Sequence, residues 1–132
     1  MKKFSLYLGI LLVFVGVSVF IVLKQSEALE QKVYSGEAVI RITDDGFNPQ
    51  EIRITRGTKV SFVNESEVRR WPASDLHPTH TIYVAFDSQK PIAPGEEWSF
   101  VFEKTGKWNM HDHLAPYLVG TIYVTDTPNP SY

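Results

Sequence analysis

The sequence predicts an all-β domain, a β-sandwich, and three observations carry that expectation. Short runs rich in Val, Ile, Thr, Phe, Tyr and Trp alternate apolar and polar residues with a period of two. Clusters of turn-forming residues, "DDGFNP", "RG", "PIAPGE" and "TG", separate these runs at short intervals. Helix-forming stretches are scarce after residue 33, so strands do not alternate with helices as a parallel α/β sheet requires.

In chain order, the first element is not a strand. Lys2 and Lys3 precede residues 4–23, "FSLYLGILLVFVGVSVFIVL", which carry no charge. A run of that length spans a bilayer as a helix. It exceeds the roughly 7–15-residue apolar region of a secretory signal, and the cleavage motif beyond it is weak. Residues 1–23 therefore read as an uncleaved transmembrane helix. Lys2 and Lys3 on one side, with Glu27 and Glu30 on the other, put the N-terminus in the cytoplasm. This makes a single-pass protein of the cell membrane with its C-terminal domain extracytoplasmic, periplasmic or extracellular. Residues 24–36 are polar and read as a linker, 37–126 as the domain, and 127–132 as a Pro-rich tail.

Within the domain, strands are expected at 38–43 (AVIRIT), 51–55 (EIRIT), 59–64 (KVSFVN), 80–84 (HTIYV), 98–103 (WSFVFE), 107–110 (KWNM) and 120–125 (GTIYVT). Two connections are long: 65–80, "ESEVRRWPASDLHPTH", and 85–95. Loops of that length in a small domain tend to carry function.

Composition narrows the chemistry. With 13 basic and 15 acidic residues the formal net charge is −2, and no basic block runs anywhere, so nucleic acid is not an expected partner. Cysteine is absent. That excludes disulfides, thiolate ligands and lipid-bearing cysteines, and it leaves metal chemistry to histidines and carboxylates.

All four histidines fall in two clusters, His77 with His80 and His111 with His113. Residues two apart on a strand face the same side, so His111 and His113 can address one ion while Met110 and Asp112 face away. Pro78 stiffens the backbone between His77 and His80. Asp112 reads either as a carboxylate accepting the outer N–H of a ligating imidazole, or as a solvated strand-end aspartate. Asp75 and Asp87 read as turn residues, and Met110 as core. Trp71 and Trp108 read as core aromatics by default, with shielding of the site as the alternative.

The run "DDGFNPQEIRITRGTKVSFVNES", followed by "HTI", "PIAPGEEWSFVF" and "TGKWNMHDHLAPYLVGTIYV", resembles the plastocyanin-like cupredoxin domain family over roughly residues 37–125. The resemblance implies a Greek-key β-sandwich with a copper site at one end and His80 as its first histidine. The chain departs from the blue-copper pattern, because the family's cysteine position falls on Asp112 and its methionine position on Leu118. A blue site needs a thiolate, and none exists here. His111-Asp112-His113 and His77-Pro78-Thr79-His80 resemble instead the His-rich motifs of multicopper oxidases, in which His80, His111 and His113 correspond to cluster ligands.

The expected metal site is therefore His77, His80, His111 and His113, with Asp112 behind it. Copper is the expected ion on the Irving–Williams order and zinc the alternative. Three functions follow: copper handling or electron transfer with a redox or copper-delivery partner, a copper-dependent oxidoreductase with an open coordination position, or an interaction domain without metal.

Overall fold

The computed structural model describes residues 32–127 and residue 18. The expected transmembrane helix at 1–23 and the tail from 128 onward lie outside the described residues. Among those described, no helix is long and apolar enough to cross a membrane.

Nine strands build the unit that begins at Val33: β1 (Val33–Tyr34), β2 (Glu37–Thr43), β3 (Gly46–Asn48), β4 (Glu51–Thr55), β5 (Lys59–Asn64), β6 (Pro72–Ser74), β7 (Glu97–Val101), β8 (Gly106–Asp112) and β9 (Ala115–Thr125). They form two sheets, ordered β1-β4-β9-β8-β6 and β3-β2-β5-β7. This is the β-sandwich that the two-residue period implies. β2 pairs in parallel with β5, and β4 with β9, so the chain crosses between sheets rather than running as simple hairpins.

Each strand contributes alternate residues to one core. In β2, Ala38, Ile40 and Ile42 point inward between exposed neighbours. Ile52 and Ile54 of β4, Val60 and Phe62 of β5, and Ile122 and Val124 of β9 complete the interleaved layers. Phe86 is fully buried at the centre of an aromatic cluster, with ring centroids 5.0 Å from Phe102, 5.4 Å from Phe100 and 5.6 Å from Phe62. Apolar burial on this scale is the principal stabilising term of such a domain.

Three differences from the expected elements stand out. β1 lies within residues 24–36, the stretch read as a linker, and pairs in parallel with β4 through Val33↔Arg53 and Tyr34↔Ile54. The long segment 65–80 is not wholly irregular: β6 pairs antiparallel with β8, Ala73 opposite His111. The expected strand at 80–84 is absent. His80 has φ 50°, a left-handed conformation incompatible with a strand, and residues 82–85 turn. Local hydrogen bonds replace the ladder: His80 N donates to Leu76 O, Ile82 N to Asp75 O and Tyr83 N to Ser74 Oγ.

Candidate metal centre

His111 lies near the end of β8, opposite Val119 of β9 and Ala73 of β6. A register shift falls between His111 and Asp112, and the strand ends there. His113 therefore sits in the turn beyond the strand, where its N–H donates to Trp71 O at 2.8 Å. Met110 is fully buried in the core, and Asp112 turns toward Arg70. From the other side the turns of residues 75–80 bring in His77 and His80.

All four imidazoles converge. One nitrogen of each lies within 4.8 Å of the corresponding atoms of the other three. His77 Nδ1 is 3.2 Å from His111 Nε2, and His80 Nε2 is 3.0 Å from His113 Nδ1. Two nitrogens sharing a metal at about 2.0–2.1 Å with angles between square and tetrahedral lie about 2.8–3.4 Å apart, so both pairs are already at ligand spacing.

Two of the rings are oriented from behind by carboxylates. His80 Nδ1 is 2.7 Å from Asp87 Oδ2, and His111 Nδ1 is 3.0 Å from Asp75 Oδ1. A neutral imidazole that donates from Nδ1 keeps a lone pair on Nε2, so these bonds aim an acceptor nitrogen of each ring into the cluster. His113 is steadied by Trp71, whose ring lies 4.6 Å away at 39°. Trp71 Nε1 in turn donates to Asp87 Oδ1 at 2.6 Å, so one carboxylate ties the indole to His80. Trp71 thus takes the shielding role, whereas Trp108 packs against the hydrophobic core as a default aromatic does.

The expectation for Asp112 needs correction. Its carboxylate is fully buried and reaches no imidazole. Oδ1 accepts from Trp71 N at 2.9 Å and Leu114 N at 3.0 Å, and Oδ2 accepts from Arg70 Nη1 at 3.2 Å. It is neither a solvated strand end nor the partner of a ligand. It pins the turn that carries His113. Arg70, which carries no local sequence signal of a role, is itself buried and also donates to Ser66 Oγ and Asp44 Oδ1. The carboxylates that do hold imidazoles, Asp75 and Asp87, were assigned to turns. Both stand in turn-rich segments, so local sequence carries only the turn signal, and their pairing with His111 and His80 is tertiary.

The electrostatics favour the neutral form of His111 and His113. Burial lowers the pKa of His111 below 6.5; Asp75 opposes this, while His80 and His77 add to it. Burial also lowers His113, again with help from His80 and His77. For Asp87, burial pushes upward, but hydrogen bonds from Trp71, Gln89 N and His80, with the His80 charge, outweigh it and hold the carboxyl below 3.8. The donor set suits copper: four imidazole nitrogens, with carboxylates hydrogen-bonded behind two of the rings.

A β-sandwich with four converging histidines beside the end of a strand defines the class, a cupredoxin-type fold with a candidate copper site. The chain belongs to the cupredoxin-like domain family, whose model matches residues 11–124. It is similar to a purple cupredoxin from Nitrosopumilus maritimus, 25% identical over 67% of this chain and 99% of that one, with a TM-score of 0.59. A reduced amicyanin variant is 15% identical over 68% of this chain and 83% of that one, with a TM-score of 0.58. The copper-containing nitrite reductase from Thermus scotoductus is 22% identical over 72% of this chain and 23% of that one, with a TM-score of 0.56. The last two likenesses bear on the fold alone. A comparison with curated proteins finds no match.

Proposed function

We propose that this chain is a membrane-anchored, extracytoplasmic copper protein that holds one ion in a thiolate-free site made by His77, His80, His111 and His113, for copper handling or electron transfer. The observation that carries this reading is the convergence of four imidazole nitrogens within 4.8 Å, two of them aimed by carboxylates. Such outer hydrogen bonds commonly accompany metal-bound histidines. Copper is favoured over zinc by its greater affinity for nitrogen donors. The uncharged run 4–23 behind Lys2 and Lys3 supports anchoring by residues 1–23 with the domain outside.

Loading with Cu²⁺ followed by desalting tests the site. The expected result is one retained copper per chain and no intense blue thiolate band in the visible spectrum. His80→Ala, and His111→Ala combined with His113→Ala, should each abolish retention. Loss of all copper from the wild type on desalting would refute the reading. Membrane fractionation of the full chain, against a chain lacking residues 1–23, tests the anchor separately.

A further inference from the structure

The four imidazoles are not held alike. His80 and His111 are buried and tied through Nδ1 to Asp87 and Asp75. His113 is stacked on Trp71, and its backbone is fastened by the bond to Trp71 O within the turn pinned by Asp112. His77 is the one exposed member of the cluster. Among the described residues its ring makes hydrogen-bond and ring contacts only with His111 and His113, and no carboxylate, carbonyl or indole there orients it from behind. Three rings are thus positioned by the fold, and the fourth by the cluster itself.

We propose that the site works as three fixed imidazoles and one exchangeable one, with His77 yielding its coordination position to an incoming neutral nitrogen donor. This inference rests on the copper reading above. Preorganisation decides which ligand leaves: displacing His80 or His111 breaks a part-buried hydrogen bond to a carboxylate as well as the metal bond, whereas displacing His77 moves an exposed ring into water. No coordination number is lost if the newcomer binds as His77 departs, so the ion is never left uncovered.

The charge balance selects a neutral donor over a small anionic substrate. Asp75 and Asp87 place two carboxylates directly behind the rings, the acidic complement that a dication calls for. Arg70, the buried cation of this region, is committed to Asp112 and Asp44. Among the described residues no lysine or arginine pairs with Asp75 or Asp87. An anion entering at His77 would meet no compensating side chain. The exchangeable position therefore suits ligand-by-ligand transfer of copper better than reduction of an anion.

Chelator competition and electron paramagnetic resonance on the full chain, loaded with Cu²⁺, test this. His77→Gly should keep its copper affinity within about tenfold of wild type, whereas His80→Gly and His111→Gly should each lose more than about a hundredfold. Adding imidazole to copper-loaded His77→Gly should restore the wild-type nitrogen hyperfine pattern, and azide added to the wild type should leave that pattern unchanged. If His77→Gly loses as much affinity as His111→Gly, or imidazole does not restore the spectrum, His77 is a fixed ligand and the inference fails while the copper reading stands. If azide displaces His77 in the wild type, the preference for a neutral donor is wrong. Absence of copper from the wild type would overturn the copper reading and this inference with it.

Discussion

Arg70 and Asp112 form a buried ion pair beside the turn that carries His113, with side-chain exposures of 7% and 0%. Removing one partner strands the other, which costs about 3–5 kcal/mol, whereas replacing both by apolar residues of similar volume is often neutral. Arg70→Met and Asp112→Leu are therefore each expected to lower stability strongly. The double variant should lose less than the sum of the two in denaturant titration, keeping only the cost of the Trp71 N and Leu114 N bonds to Asp112, and additive losses would contradict the pairing. The histidines set a second expectation. His111 and His113 have pKa values below 6.5 in the fold. As pH falls through 6.5 the unfolded chain takes up protons that the folded chain refuses, so the metal-free domain loses stability there. Asp87, held below 3.8, adds a further loss as pH falls through that value. Thermal melting of the metal-free protein at pH 7.5, 5.5 and 3.5 should show both steps, and equal melting temperatures at 7.5 and 5.5 would exclude the first. At this scale the four histidines were legible because the sequence holds no others. The roles of Asp75, Asp87 and Arg70 were not, because each partner lies 7 to 42 residues away and only the fold joins them.

Among the elements, β8 carries His111 and leads into the turn of His113, and its fit against β9 depends on one small residue. A Cβ on Gly120 would meet Met110 and come within 2.8 Å of Gln50 O. The backbone oxygen cannot swing aside, and Met110 is fully buried. Gly120→Ala should cost about 1–3 kcal/mol as overpacking does, read by denaturant titration; a change under about 0.5 kcal/mol would show that the strands part freely. The regular strands were legible from alternation, as Ile40 and Ile42 or Ile52 and Ile54 show. The run His80-Thr81-Ile82-Tyr83-Val84 misled because its composition favours strands. In the fold Ile82 and Val84 are 51% and 71% exposed, no partner strand lies alongside, and the left-handed backbone at His80 serves the cluster instead. β6 escaped notice because Pro-Ala-Ser lacks both length and β-branched residues; its pairing with β8 supplies what composition does not.

At the scale of the whole unit that begins at Val33, the sandwich holds β8 in place and the turns at the His111 end carry the other proposed ligands. Two interleaved sheets closed by the Phe86 cluster hold β8 in place, and the turns of 75–80 lay two more imidazoles against it. The electron-carrier scaffold is retained, while a carboxylate paired with arginine occupies the position at which the family resemblance expects a thiolate. On the proposed reading, any metal there is left to nitrogen donors, because the chain holds no cysteine. Copper X-ray absorption on the loaded full chain tests this most directly. The expected result is one copper per chain with a first shell of three or four nitrogens and the outer-shell scattering of imidazole, and no sulfur. A sulfur scatterer, or a first shell of oxygens without imidazole, would contradict the four-histidine centre.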